Sequence, residues 1–133
     1  MVAGVFSTNI SKSIEFGISL GIDKSRCYSD YLSMAKEEAK RKDGIEAVGV
    51  MTPAGYHYKI SKEFLEKKIH VICDKPITAS VDEALKLEKV IKKNKVVFAL
   101  THNYSAYPML REAKKIIDNG NIGKIHLINV CLL

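Results

Sequence analysis

The sequence lacks any long apolar run. No stretch approaches the roughly 18 consecutive apolar residues that a membrane-spanning helix requires, although 47% of the 133 residues are hydrophobic. The N-terminus also lacks the basic flank and apolar core of a secretory signal peptide. With 27% charged residues, the composition is that of one ordinary globular domain and not of a disordered chain. We therefore expect a soluble, cytoplasmic protein with no membrane partner.

Cysteine is also scarce. The three cysteines are Cys27, Cys73 and Cys131. An odd number without C-x-x-C spacing argues against both a disulfide framework and a zinc site. We expect three reduced thiols and no metal.

The formal net charge of +6 raises the question of a nucleic-acid partner, because clustered Lys and Arg side chains neutralise phosphates. Acids and bases are interleaved, however. Glu37 precedes Arg41 by four residues and Glu38 precedes Lys42 by four, a spacing typical of a solvated helix face. No aromatic residues accompany the basic ones in a binding pattern. The charge therefore predicts no nucleic-acid partner.

Short apolar runs alternate with helical patterns of roughly 10 to 15 residues, as in parallel crossover units. The runs predict strands at 2–6, 46–51, 69–73, 96–100 and 125–133, with a very short one at 27–28. Ser7-Thr8-Asn9 is a helix cap after the first strand, and Ser11 can cap the segment that follows. Ser80 with Glu83 forms a capping box before a later helix. A helix is also expected from Ser29 or Asp30 to about Lys42. The pattern predicts an α/β fold with a doubly wound, Rossmann-like parallel sheet.

Polar motifs follow three successive strands. They are Thr52-Pro53, Asp74-Lys75-Pro76 and 101–104, which reads Thr-His-Asn-Tyr. Because the carboxyl ends of neighbouring parallel strands share one edge of a sheet, these motifs should converge on one crevice, where ligands of such sheets bind. Lys75 is the most prominent functional candidate among them.

These motifs resemble the Gfo/Idh/MocA oxidoreductases, the family of glucose-fructose oxidoreductase and inositol dehydrogenase. The resemblance is carried, in this order, by Thr52-Pro53-Ala54-Gly55-Tyr56-His57, by His70-Val71-Ile72-Cys73-Asp74-Lys75-Pro76, and by Asn103-Tyr104 through Pro108 to Gly120-Asn121-Ile122-Gly123-Lys124-Ile125. It implies an enzyme that uses NAD or NADP to transfer a hydride to or from a sugar, polyol or related hydroxy or keto compound. It also implies a homo-oligomer in the complete protein.

The resemblance assigns roles to individual residues. Lys75 is expected to be catalytic, because an ammonium can hydrogen-bond a substrate oxygen as negative charge develops and can relay the hydroxyl proton. The expected cofactor-binding residues are Ser7, Thr52, Pro53, His57, Asp74, Lys75 and Asn103, and the expected substrate-binding residues are Lys75 and Tyr104. For His57, a role as a helix cap or as a surface side chain stays equally open. For His102, the favoured interpretation is a loop histidine whose hydrogen bonds are satisfied within the protein.

The sequence departs from the family pattern at its start. A dinucleotide fold opens with a strand and G-x-G-x-x-G, and this sequence contains no such motif. We expect residues 1–124 to form a partial nucleotide-binding domain that begins at the second strand, and 125–133 to begin a truncated C-terminal α/β domain. Ser7 with nearby Lys12 stands where a carboxylate would select NAD, so NAD and NADP both stay open.

The alternative hypothesis is a non-catalytic, truncated chain that acts as a binding or oligomerisation module. In the doubly wound order, the first strand of the fold lies between the strands at Val2 and Val48. Without it, these two strands pair directly or leave open edges, and open edges are templates for association. We therefore expect the isolated chain to be less stable than a complete domain, or to self-associate.

Overall fold

The computed structural model describes residues 1–131 of the chain. The described part is an α/β structure in which strands and helices alternate, as the sequence predicts. In chain order its strands and helices are β1 (Gly4–Val5), α1 (Ile10–Ser19), β2 (Cys27–Tyr28), α2 (Tyr31–Glu38), β3 (Ala47–Val50), α3 (His57–Glu66), β4 (His70–Asp74), α4 (Val81–Asn94), β5 (Phe98–Thr101) and α5 (Pro108–Asp118). Short 3-10 helices occupy Lys24–Arg26, Ala54–Tyr56 and Asn103–Ala106.

The chain divides into two compact units. The first, Met1–Thr101, contains all five strands and α1 to α4. The second begins at His102 and contains α5. Within residues 1–131, no helix has the length and apolar character needed to cross a bilayer.

The first unit contains two parallel sheets. β1 pairs with β2, with Gly4 opposite Cys27. β3, β4 and β5 form the second sheet in that order, and β4 is its central strand. β1 and β3 do not pair directly, so each has an edge without a partner strand among residues 1–131.

The core lies on one face of the three-stranded sheet. Alternate residues of β4, Val71 and Cys73, are buried in one apolar cluster with Phe64 of α3 and Leu87 of α4. Burying each large apolar side chain contributes about 1.5–3 kcal/mol. Ile72 points to the opposite face, as alternation along a strand requires, and is 49% exposed.

Polar side chains cap the N-termini of three helices. The carboxylate of Asp30 accepts from the amide of Ser33 at 2.8 Å, and the hydroxyl of Ser80 accepts from the amide of Glu83 at 3.3 Å, which confirms the predicted caps. The prediction that Ser11 caps α1 was wrong. Asn9 caps α1 instead, because its side chain accepts from the Lys12 amide at 3.2 Å.

The prediction that Glu38 lies on a solvated helix face was also wrong. Helix α2 ends at Glu38, which is only 1% exposed. Its carboxylate accepts hydrogen bonds from the guanidinium of Arg26, the hydroxyl of Tyr28 and the amide of Ile45. Glu37 does remain exposed, with the Lys40 ammonium at 3.4 Å. Arg26 lies 12 residues from Glu38 in the sequence, so a search for acids and bases four residues apart does not predict this buried ion pair.

The strand predicted at 125–133 is not formed by the described part of that range. Residues 125–131 have no regular secondary structure. Residues 132 and 133 of that prediction lie outside the described part of the chain.

Candidate functional site

The ends of β3, β4 and β5 lie side by side. The three strands are parallel neighbours, with Val50 opposite Cys73 and Asp74 opposite Thr101. The segments that leave β3 and β4 therefore emerge at one edge of the sheet, as the sequence predicts. They carry Thr52-Pro53 and Lys75-Pro76.

Asp74 is the best-defined acidic group at this edge. Its Oδ1 atom accepts a hydrogen bond from the Thr101 hydroxyl at 2.9 Å and another from the Lys75 amide at 2.8 Å. The bond from Thr101, and then that from Lys75, lowers the pKa of Asp74 below its usual value, because both stabilise the ionised form. An ionised Asp74 therefore ties the start of the Lys75 segment to β5.

Thr101 bonds Asp74 in a way that the sequence does not predict. A threonine at the end of a strand is ordinary, and its partner lies 27 residues earlier in the chain. The only available signal was the predicted strand order, which places the two strand ends next to each other.

Lys75 is exposed and follows directly on β4. Within residues 1–131, its ammonium forms no ion pair with a carboxylate. The peptide bond between Lys75 and Pro76 is cis. The ammonium is therefore free to bond a ligand, while its backbone is held by Asp74.

His57 is buried behind the same edge. It is the first residue of α3 and is 1% exposed. Its Nδ1 atom lies 2.7 Å from the carbonyl oxygen of Pro76, and its Nε2 atom lies 2.6 Å from the carbonyl oxygen of Thr52. The imidazole thus links the segment that follows β3 to the segment that follows β4.

Thr52 and Pro53 are both exposed. The carbonyl oxygen of Pro53 accepts from the Tyr56 amide at 2.9 Å, which begins the 3-10 helix that leads into α3. The structure therefore brings Thr52, Pro53, His57, Asp74 and Lys75 to one end of one sheet.

Ser7 belongs to the other sheet. It follows β1 and is partly buried. Its hydroxyl accepts from the Asn9 amide at 3.1 Å, just before α1 begins. The side chain is thus placed at a strand end next to a helix N-terminus, where partial positive charge favours anionic groups.

Asn103 and Tyr104 belong to the second unit. Both lie in the 3-10 helix Asn103–Ala106 and are exposed. The ring of Tyr104 packs edge-on against that of Tyr107, with the centroids 5.5 Å apart. Their assignment to the cofactor and the substrate stays a prediction.

Comparison with known proteins decides the family. A family model described as an oxidoreductase family with an NAD-binding Rossmann fold matches residues 1–102. This chain belongs to the Gfo/Idh/MocA oxidoreductase family. The resemblance of the sequence motifs to this family is thereby confirmed.

Relatives of the Gfo/Idh/MocA chain include enzymes of known structure. It is 38% identical over 130 residues to the uncharacterized oxidoreductase YfiI of Bacillus subtilis, an alignment that covers 98% of this chain and 33% of YfiI. An oxidoreductase from Sinorhizobium meliloti is 51% identical with a TM-score of 0.79, over 92% of this chain and 35% of that one. An inositol dehydrogenase homolog from Azotobacter vinelandii, complexed with NADH and myo-inositol, is 38% identical with a TM-score of 0.86, over 93% of this chain and 33% of that one. The chain thus spans about a third of the length of these relatives.

The residues at the strand ends suit the nucleotide that this family binds. The edge presents the Thr52 side chain, the Lys75 ammonium and the ionised Asp74, which offer hydrogen-bond donors and acceptors for hydroxyl and amide groups. Ser7 adds a hydroxyl at the end of β1 and has no charge of its own. The chemistry of this donor set fits a nicotinamide dinucleotide.

Proposed function

We propose that this chain forms part of an NAD(P)-dependent oxidoreductase that transfers a hydride between the nicotinamide cofactor and a sugar, a polyol or a related hydroxy or keto compound. The observation that carries the proposal is the exposed ammonium of Lys75, which has no ion-pair partner within residues 1–131 and follows the central strand of the sheet. The Azotobacter vinelandii relative, which is complexed with NADH and myo-inositol, supports this class of substrate.

Lys75 is the proposed catalytic residue. The nicotinamide ring of the bound cofactor accepts or donates the hydride. The ammonium of Lys75 hydrogen-bonds the substrate oxygen and holds or relays its proton, which stabilises the charge that develops there. Asp74 keeps the Lys75 backbone in place through its bonds to the Lys75 amide and Thr101.

The remaining roles are proposed from the family to which the chain belongs. We propose that Thr52, Pro53 and Asn103 contact the cofactor and that Tyr104 contacts the substrate. Ser7 follows β1 and would lie near the adenosine ribose. A hydroxyl there neither requires the free ribose hydroxyl of NAD nor repels the phosphate of NADP, so both cofactors belong to the proposal.

The proposal extends to the domain organisation and the partners. Residues 1–124 would belong to the nucleotide-binding domain and 125–133 would begin a second α/β domain, which fits a chain that spans about a third of YfiI. The complete protein would be a homo-oligomer that acts on a small molecule, with neither nucleic acid nor membrane as a partner. The three free cysteines support a reducing, cytoplasmic location.

Two measurements test the catalytic proposal. Calorimetric titration of the chain with NADH and with NADPH measures the binding of each cofactor. In the full-length protein, Lys75→Met should reduce turnover by about 10²–10⁴-fold, the usual contribution of a general acid or base, and should largely preserve cofactor binding.

The matched control for Lys75→Met is Lys89→Met. Lys89 is an exposed lysine of α4, and its replacement should leave both turnover and binding unchanged. Turnover that survives Lys75→Met would remove Lys75 from the mechanism.

A second candidate function is a non-catalytic binding or oligomerisation module. The unpartnered edges of β1 and β3 favour it, because free strand edges pair readily with other chains. Sedimentation of the chain over a range of concentrations measures self-association, and titration of the full-length protein with NADH and NADPH distinguishes the two functions. Reversible self-association together with no nucleotide binding by the full-length protein would support the module and contradict the enzyme.

A further inference from the structure

Both ring nitrogens of His57 lie at hydrogen-bond distance from backbone carbonyl oxygens. A carbonyl oxygen only accepts hydrogen bonds, and a neutral imidazole has one N–H donor and one acceptor nitrogen. Both ring nitrogens of His57 face carbonyl oxygens, at 2.7 Å for Pro76 and 2.6 Å for Thr52. A neutral ring would leave one lone pair directed at an oxygen, whereas the imidazolium donates to both.

We propose that His57 is a doubly protonated positioning residue that fixes Lys75 relative to Thr52. Its ring joins the carbonyl of Thr52, which follows β3, to the carbonyl of Pro76, which directly follows Lys75. The segment that carries the ammonium and the segment assigned to the cofactor are thereby held together. The ring itself is 1% exposed and acts through the backbone, not through contact with the cofactor.

A buried positive charge at this position needs compensation. Burial disfavours the charged form, and the positive end of the α3 helix dipole opposes it as well. Two charge-assisted hydrogen bonds act in the other direction and are stronger than bonds between neutral groups. The carboxylate of Asp74 provides a nearby negative charge. The pKa of Asp74 is lowered first by the hydrogen bonds of Thr101 and Lys75, and further by the positive charges of Lys75 and His57.

His70 supplies an internal contrast in the same unit. Its Nδ1 atom accepts a hydrogen bond from the Val97 amide at 3.0 Å. A ring nitrogen that accepts a hydrogen bond carries no proton, so the Nδ1 atom of His70 differs from the donating Nδ1 atom proposed for His57. The two histidines of the first unit should differ in protonation within one sample.

The first test is a long-range proton–nitrogen NMR spectrum of the chain at neutral pH. We expect His57 to show two protonated ring nitrogens and His70 to show one protonated and one bare nitrogen. A neutral-tautomer pattern for His57 would overturn the proposal. This measurement needs no variant, so it does not depend on whether a substituted chain folds.

The second test compares His57→Gln with the matched control His70→Gln. With His57→Gln, the amide resonances of Lys75 and Thr52 should shift, and in the full-length protein kcat should fall by about 100-fold, the usual effect of misplacing a reacting group by about 1 Å, with a much smaller change in KM. His70→Gln should leave kcat unchanged. Unmoved Lys75 resonances or an unchanged kcat in His57→Gln would overturn the positioning role.

The effect on catalysis rests on the proposed function, but the link between the two segments does not. A two-proton signature at His57 in a full-length protein that binds neither NADH nor NADPH would support the link and overturn the enzymatic function. A chain that binds a nucleotide and shows a neutral His57 would support the function and overturn the link.

Discussion

Replacement of Glu38 by glutamine should destabilise the first unit strongly. The carboxylate of Glu38 accepts four hydrogen bonds, two on each oxygen. They come from the Nε and Nη2 atoms of Arg26, the Tyr28 hydroxyl at 2.9 Å and the Ile45 amide at 3.2 Å. Glutamine keeps the shape but has a single acceptor oxygen, so two of the four donors would face an NH₂ group.

Two independent estimates give a similar size for this effect. Breaking a buried ion pair by removing one partner costs about 3–5 kcal/mol. The loss of two hydrogen bonds to a charged group, at about 1.5–3 kcal/mol each, amounts to about 3–6 kcal/mol. Because a small domain is stabilised by only about 5–15 kcal/mol, Glu38→Gln should lower the free energy of unfolding by about 3 kcal/mol or more.

Urea unfolding at neutral pH measures this change, and Glu37→Gln is the matched control. Glu37 is the preceding residue of α2 and forms only an exposed pair with Lys40 at 3.4 Å, so its replacement should cost less than about 0.5 kcal/mol. A Glu38→Gln variant within 1 kcal/mol of the parent chain, as judged against this control, would refute the reasoning.

The stabilisation by Glu38 should also depend on pH. Burial on its own raises the pKa of Glu38, but the hydrogen bonds from Arg26 and Tyr28 outweigh it and the net pKa lies below the usual value of 4.5. A group whose pKa is lowered on folding stabilises the protein above its unfolded pKa, and that stability is lost as the pH falls through the folded pKa. The stability difference between the parent chain and Glu38→Gln should therefore shrink below about pH 4.5.

Three further predictions concern serine, tyrosine and cysteine side chains. Ser13→Ala should lower the free energy of unfolding by about 1–3 kcal/mol, because the Ser13 hydroxyl accepts from the Phe6 amide and donates to the Tyr28 carbonyl oxygen. Ser61→Ala should leave it unchanged or raise it by up to about 1 kcal/mol, because the buried Ser61 hydroxyl lies near only the weakly bonding thiol of Cys73 and has no well-formed hydrogen bond within residues 1–131. Thermal unfolding compares the two variants, and a loss of equal size in both would contradict this. Burial, and then the bond to the Glu38 carboxylate, raises the pKa of Tyr28 to about 12, so an ultraviolet titration should show one of the six tyrosines ionising after the others and not together with them. Thiol labelling of the native chain should modify the exposed Cys131 fast and the buried Cys27 and Cys73 slowly, and equal rates for the three would contradict their burial.

The sequence predicts features that depend on local pattern. The helix that begins after Ser80 and the short strand at Cys27–Tyr28 form as expected, because a capping side chain and a run of apolar residues act on their immediate neighbours. The shared edge of β3, β4 and β5 also follows from the alternation of strands and helices, since parallel crossover connections place successive strands next to each other.

Features with distant partners escape the same reasoning. Glu38 meets Arg26 across 12 residues, and His57 meets Pro76 across 19. A charged or titratable side chain gives no sign in its own neighbourhood of which buried group it will bond. The sequence therefore placed Glu38 in solvent, and it left the role of His57 open between a cofactor contact and a cap.

The central position of β4 has a consequence for the motion of Lys75. β4 is hydrogen-bonded to a neighbour on each side, whereas β3 and β5 each have only one neighbour in that sheet among residues 1–131. Local opening begins at the rims of a sheet and reaches its middle last. Lys75 therefore combines an exposed side chain with a backbone that follows the central strand, so fraying of the outer strands would leave the backbone of Lys75 in place.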